Sequence, residues 1–549
     1  MNKLLLVLGF VLSQGIVSIS AQQISQDQKL ATTAKVWGFL KYYHPQVAKG
    51  KFDWDAQLLE ILPKVAQAEN KEELSKIYLD WISALGEVPL CKKCAKEENQ
   101  TYFDKNFDLS WIDDADVFTE QLSNKLRFIE QNRFQGKHHY VSVKYKQVGN
   151  ISLENEPEYN DLDWQNPDMR LLIGFKYWNI IEYFFPYKYQ TDQPWEEVLL
   201  ETIPKLRTAP SEMEFHNALQ QMVVKIDDSH GWFISSSDTK TYKLPAFKTK
   251  FINEKLVVIG HYKDSLAALS PLIKGDVIVA LNDKPIEALI EENLPFAWGS
   301  NKASKFRTLN SMVLRFAEKS QGKVKFIRNG EIKEAKINYF PMDDLKPVPS
   351  NLVKWKIMDG NIGYVDMGHL MNEEVDAMMD DLMATDGIIF DVRNYPKGTM
   401  YNIAAYLIPE RRYFYKFIIP DLTYPGRFKW QGGGICGNPK SKSRYKGNIT
   451  LLVNERTQSH AEFTVMALQA ADKVVTVGSK TSGADGNVTR LNLGAGVETN
   501  MSGIGIFYPD GTETQRKGIK VDVEVHPTIE GIRAGRDEVL EKALEIAKR

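Results

Sequence analysis

Cysteine is nearly missing: Cys91, Cys94 and Cys436 are the only three in 549 residues. That excludes a disulfide-dense scaffold. Cys91-Lys-Lys-Cys94 has redox or zinc spacing, but no second ligand pair follows it and no βαβ context surrounds it. It reads as an incidental or structural pair in a loop. Charge of one sign is also lacking. The net charge is −2 and no basic stripe is visible, so no nucleic-acid partner is expected. The glycine-rich stretch near 478–486 lacks the GxxxxGK[ST] spacing of a phosphate loop. No apolar run reaches the roughly 18 residues needed to span a bilayer, so no stable membrane insertion is expected.

The first residues are the longest apolar stretch. Lys3, the run Leu4–Leu12 and the small residues Ser18, Ser20 and Ala21 have the layout of a signal peptide over 1–21. The mature chain is then exported, periplasmic or extracellular; a retained anchor is the alternative. Apolar content of 43% over this length supports three or four domains.

An internal repeat follows. Residues 36–82 match 177–223 at a constant offset of 141. Trp37, Tyr42, Pro45 and Trp54 recur as Trp178, Tyr183, Pro186 and Trp195. Leu58, Leu59 and Leu62, like Leu199, Leu200 and Ile203, have helical spacing. The chain thus carries two helical copies, at 25–100 and 166–236, around a mixed insertion at 101–165 in which 140–148 alternates like a strand. The copies differ at their ends. Copy one closes on Leu85-Gly-Glu-Val-Pro89, copy two on Ile226-Asp-Asp-Ser229-His230. A scaffold that accepts Pro89 does not need His230, which moves His230 from packing toward chemistry.

Residues 243–342 change to strand character, with hairpin turns at Asn253-Glu254 and Asn329-Gly330. Lys274-Gly275-Asp276-Val277-Ile278 followed by Leu281-Asn282 resembles a PDZ domain, which takes an extended peptide onto a sheet edge. From 350 to 535 short strands alternate with helices, so an α/β layer is expected, with a C-terminal helix at 536–549.

Within that layer, Arg456-Thr-Gln-Ser459-His460-Ala-Glu462 joins the apolar run 448–454 to a helical run. Ser459-x-x-Glu462 alone is a helix-capping box. A serine at a strand-to-helix corner also has helix N–H groups beside it, where negative charge is stabilised. Asp391-Val-Arg-Asn394-Tyr-Pro396-Lys-Gly398 leaves a neighbouring strand, so the N–H of Gly398 and that of His460 are candidate oxyanion donors.

Taken in order, Asp-Asp-Ser-His, the PDZ-like stretch, DVRNYPKG, VNERTQSHAEF, GSKTSG and YPDGTETQRKGIKVDVEV are similar to the tail-specific (C-terminal-processing) serine proteases and the related tricorn core protease, over roughly 170–535. The resemblance implies a multidomain α+β chain with a crotonase-like α/β spiral domain and Ser459 as nucleophile. It implies protein or peptide substrates and no cofactor or metal. The processing proteases use a lysine base in a G-x-x-T-x-G-K-G pattern. Here Ala484 stands at that lysine, and Lys480 precedes the loop's threonine. The tricorn branch uses a histidine preceded by serine, a place that Ser229-His230 fits. Its glutamate falls on Gln515, with Glu513 two residues away as a candidate supporting residue beside Ser229. His369 is the rival base; His216 and His138-His139 read as packing or surface. The expectation is a secreted serine endopeptidase that uses Ser459 and His230. The alternatives are a peptide-binding protein of the same fold without chemistry, and another acyl transfer.

Overall fold

The computed structural model describes residues 24–94, 101–143, 148–236, 242–316, 320–346, 352–440 and 443–548. The expected signal segment and residues 144–147 of the expected strand 140–148 lie outside the described residues; Val141–Val143 is a strand.

The two helical copies hold Gln26–Tyr43, Trp54–Gln67 and Lys71–Ala84, and Pro167–Phe184, Trp195–Thr208 and Glu212–Val224. Side chains of Ser25, Asp53, Asn70, Asn166 and Ser211 cap five of these helices. The repeated tryptophans explain themselves. A buried indole N–H needs an acceptor. Trp37 and Trp54 each donate to the other's backbone carbonyl, at 3.0 and 3.1 Å. Trp178 and Trp195 do the same at 2.9 and 3.0 Å.

The copies face each other across a pseudo-two-fold axis. Equivalent positions meet only near such an axis. Gly38 and its counterpart Asn179 meet there: a β-carbon on Gly38 would lie 1.7 Å from Asn179 Oδ1. Asn179 Nδ2 donates to the equivalent carbonyls of Ala34 and Phe175 at 3.0 and 2.9 Å. Away from the axis the contacts are reciprocal: Lys35 pairs with Glu196, and its counterpart Lys176 with Asp55. The copies are thus one body with one hydrophobic core rather than two domains.

Among its described residues the insertion holds the helix Glu120–Gln131 and three short strands. Its strand Tyr102–Phe103 pairs with Phe428–Gln431, and His138 Nε2 lies 2.8 Å from the Leu422 carbonyl. The insertion therefore straps the helical body to the C-terminal layer.

Residues 243–341 form an antiparallel sheet in the order Lys243–Pro245, Glu331–Pro341, Gln321–Arg328, Val277–Leu281, Lys255–His261, Phe247–Ile252, with Lys284–Pro285 paired to Val277–Leu281. Both expected hairpin turns are present, with positive φ at Asn253, Glu254, Asn329 and Gly330.

The C-terminal layer is a six-stranded sheet: Trp355–Met358, Ile362–Asp366, Gly387–Asp391, Asn448–Val453, Val474–Gly478, Val523–Glu524. Only the first pair is antiparallel. Successive side chains alternate between two cores. Ile388, Phe390, Leu451 and Val453 pack with the helices Val375–Leu382, Met400–Leu407 and His460–Gln469. Ile389 and Leu452 pack under the helix Glu538–Ala547. That last helix, expected as a separate element, is part of this layer. The whole is a mixed α/β multidomain fold.

One small sheet joins the units. Phe233–Ser235, the chain leaving the helical body, pairs antiparallel with Val497–Ser502 of the C-terminal layer, Phe233 opposite Thr499. Val488–Gly494 completes it.

Candidate active site

The strand Asn448–Val453 ends beside Val392, whose carbonyl accepts from Thr457 Oγ1 at 2.8 Å. Two residues later the backbone turns sharply. Ser459 has φ +56° and ψ −125°, and the helix His460–Gln469 begins at the next residue. Such a conformation costs a residue with a β-carbon roughly 1–3 kcal/mol, so the surroundings must hold it.

Glu462 and the loop 481–484 do so. Ser459 N–H donates to the Ala484 carbonyl at 2.8 Å and to Glu462 Oε2 at 3.3 Å. The buried Glu462 carboxyl also accepts from Thr481 Oγ1 at 2.6 Å, Gly483 N at 2.8 Å and Ala484 N at 3.0 Å. Burial pushes this carboxyl up and its four donors oppose that. Ser459 and Glu462 form the expected capping box, in which Glu462 holds the backbone N–H of Ser459. Ala484, where the resemblance places a lysine base, is fully buried.

His230 lies in the exit from the helix Glu212–Val224, just before the strand that joins the small sheet. Asp228 Oδ1 accepts its N–H at 3.0 Å. Its ring Nδ1 is 2.9 Å from Ser502 Oγ and 3.7 Å from Asp228 Oδ1. Its Nε2 is buried with no hydrogen-bond partner among the described residues. Burial lowers this imidazole below its ordinary value; the Asp228 charge opposes that and Arg307 adds to it.

Ser229 connects this segment to the corner. Its carbonyl accepts from Gln458 Nε2 at 3.2 Å, and its hydroxyl donates to the Ser482 carbonyl at 3.1 Å. It exchanges two hydrogen bonds with Ser300, at 2.7 and 2.9 Å. Gln458 Oε1 accepts from Arg307 Nη2 at 2.6 Å and Ser482 Oγ at 2.9 Å. The residue before His230 is therefore bonded to the residue before Ser459. Sequence reasoning separated them by a domain boundary; the small sheet removes it.

The segments that meet here carry other unpartnered buried atoms: His460 Nε2, Asp485 Oδ2, and both amide atoms of Gln515. Burial pushes the Asp485 carboxyl well up, with the nearby Glu462 charge adding to it. The His460 ring is lowered by burial and lies 6.0 Å from the exposed ring of Tyr395. Its N–H, in the first turn of the helix, has no carbonyl within that helix to pair with. Gly398 stands further along the loop after Val392 with φ +81°. It makes no hydrogen bond to the corner among the described residues.

Glu513, expected as a candidate supporting residue, is held by other partners. It is bound to Lys105 at 2.9 Å, Lys517 at 3.1 Å and the Tyr189 hydroxyl at 2.8 Å, and these donors hold it down at about 2 against its burial. It docks the insertion and the helical body onto the layer. The Cys91–Cys94 pair, read as incidental or structural, is a disulfide. His369, the rival base, gives Nδ1 to Asp366 at 2.8 Å, at the end of a strand two places from that of Ser459. His216 is buried beside Phe215. Among the described residues no cluster of three or more His, Cys, Asp or Glu could hold a metal, and no helix is long and apolar enough to cross a membrane. The residues missed in the sequence are Ser502, Asp228, Gln458 and Ser300; only Asp228 had a signal, its place next to Ser229-His230.

A serine held at a strained strand-to-helix corner, with a histidine segment bonded beside it, sets this chain among mixed α/β proteins built around a serine corner. Residues 361–525 match the model of peptidase family S41. A probable CtpA-like serine protease of Staphylococcus aureus (strain COL) is 23% identical over 327 residues, 56% of this chain and 59% of the relative. The chain thus spans about three fifths of that relative's length. Among solved structures, mature CPAF complexed with lactacystin matches with a TM-score of 0.54 at 13% identity, over 70% of this chain and 98% of that one. Mature CPAF alone gives the same score and identity, with 97% of that chain covered. These share the fold.

A histidine base has a pH signature. A general base works when neutral, and burial lowers His230 below the ordinary 6.5 or so. The acid limb of kcat/KM is expected to have its midpoint below 6.5, with activity lost as pH falls through it. Stability declines in the same direction, because below about 6.5 the unfolded chain binds a proton that the native imidazole resists. A pH profile of kcat/KM checks this; an acid limb centred above about 7 would contradict it.

Proposed function

We propose that this chain is an exported serine endopeptidase in which Ser459 is the nucleophile and His230 the general base. The observation that supports the reading is the Gln458–Ser229 hydrogen bond, which joins the residue before the strained serine to the residue before an imidazole whose Nε2 is buried and unpartnered. Ser459 Oγ attacks a peptide carbonyl carbon as its proton passes to His230 Nε2. The N–H groups of His460 and Gly398 take the oxyanion, Gly398 once substrate draws its loop in. The tetrahedral adduct then expels the amine, which takes the proton from Nε2. Water hydrolyses the acyl-enzyme by the same path. Ser229 is a positioning residue. The layer is crotonase-like, and the histidine in place of a lysine base sets it nearer the tricorn branch.

The antiparallel sheet of 243–341 is PDZ-like in this reading and presents an unstructured C-terminal tail. Export is supported by the signal-like first residues and by the Cys91–Cys94 disulfide, which belongs to an oxidising compartment. A second reading, peptide binding without chemistry, is favoured by Gln515 in place of a glutamate.

Digestion of an unstructured polypeptide, with its C-terminus free or fused to a folded domain, separates the two. Internal cleavage of the free-tailed form, seen by mass spectrometry and lost in Ser459→Ala, is the expected result. Slower cleavage of the fused form is expected from tail recognition. Tight binding with no product would favour the second reading.

A further inference from the structure

The His230 ring has one hydrogen-bond partner, and it lies on the side away from Nε2. Ser502 Oγ is 2.9 Å from Nδ1 and fully buried. Ser502 ends the strand Val497–Ser502, which pairs with Phe233–Ser235, the strand just after His230. Asp228 ties the two together. Its Oδ2 accepts the Ser502 N–H at 2.6 Å, and its Oδ1 accepts the His230 N–H at 3.0 Å.

The Nδ1–Ser502 contact can run in either direction. With the proton on Nδ1, the ring donates to Ser502 Oγ and leaves a lone pair on Nε2. With the proton on Nε2, the Ser502 hydroxyl donates to Nδ1, and Nε2 has no lone pair to accept a proton. The charges around the ring choose. The buried Asp228 carboxylate is 3.7 Å from Nδ1, too long for a hydrogen bond but close enough to draw the proton to that nitrogen. Arg307, the other charge acting on the ring, disfavours a second proton.

We infer that Ser502 is a positioning residue for His230: its hydroxyl accepts the Nδ1 proton and, with Asp228 behind it, keeps the lone pair on Nε2. In Ser-His-Asp sites a carboxylate does this directly. Here a hydroxyl makes the hydrogen bond and the carboxylate acts one step removed. The inference rests on His230 as base, but it concerns the ring's tautomer, which can be read without any turnover.

The test uses the full-length protein labelled with 15N-histidine, with the His230 signals identified by their loss in His230→Ala. At pH 7.5 the wild type is expected to show a protonated Nδ1 and an unprotonated Nε2. Ser502→Ala is expected to move the ring toward the other tautomer or a mixture, and to lower kcat by about 10- to 100-fold with KM unchanged. That is less than the ~10⁴-fold lost with a triad carboxylate, because a hydroxyl carries no charge. Ser502→Thr, which keeps the hydroxyl, restores both. A proton on Nε2 in the wild type overturns the inference, whether or not Ser502→Ala folds. So does a Ser502→Ala protein with unchanged tautomer and kcat. If His230→Ala kept full activity, the base assignment would fail while the tautomer result stood by itself.

Discussion

Replacing His230 by alanine is expected to lower kcat by about 10⁴-fold or more and to leave KM almost unchanged. The size follows from what is left. A serine hydroxyl is a weak nucleophile without a base. Ala484 has no proton acceptor. Lys480 is exposed on the surface. His369 is engaged with Asp366 two strands away, roughly 10 Å at the usual strand spacing. His369→Ala is therefore expected to stay within about twofold of wild type. Steady-state kinetics on the two variants decide the matter; the reverse pattern would move the base to His369.

Glu462→Ala is expected to be the most destabilising single change at the site, by about 3–5 kcal/mol. The carboxyl gathers four donors, from Ser459, Thr481, Gly483 and Ala484. Each donor left unsatisfied in a buried place costs about 1–3 kcal/mol. The costs do not simply add, and removing a buried carboxyl returns part of the loss, so the net falls short of the sum. Ser459 N–H keeps the Ala484 carbonyl, so the corner loosens rather than vanishes. The strained φ of Ser459 then relaxes, and activity is lost with stability. Glu462→Gln keeps an acceptor but turns an NH₂ toward donors, and falls between. Denaturant unfolding of the C-terminal layer measures the effect; a loss below 1 kcal/mol would mean that the four hydrogen bonds do not hold the corner.

Local features were legible in the sequence and long-range pairings were not. The repeat could be read because both copies keep the same tryptophans at the same helical spacing. The hairpin at Asn329-Gly330 could be read because few residues accept two successive positive φ values. The strands Gly387–Asp391 and Asn448–Val453 are apolar on both faces, as strands covered by helices on both sides must be. By contrast Val488–Gly494, with Arg490 and Asn492 on its exposed side, was not singled out as a strand. Its partners were invisible too. The pairing of Phe233 with Thr499 joins residues in different sequence regions, and no local pattern encodes it. That single pairing explains how His230, at the end of a helical body, comes to lie beside the corner. Ser502 left no trace, being one serine in Thr-Asn-Met-Ser-Gly. Glu513 misled because it is close in sequence to the expected position, while its side chain turns toward Lys105 and Tyr189. Ser459 itself was legible only as a cap or a nucleophile, and its positive φ left no local signal.

The central claim is that Ser459 is a nucleophile activated by His230. Labelling with a fluorophosphonate probe, followed by peptide mass spectrometry, tests it most directly. The expected result is a single adduct on Ser459, absent in Ser459→Ala and formed at least a hundredfold more slowly in His230→Ala. Labelling that persists in Ser459→Ala, or that proceeds at the wild-type rate in His230→Ala, would contradict it.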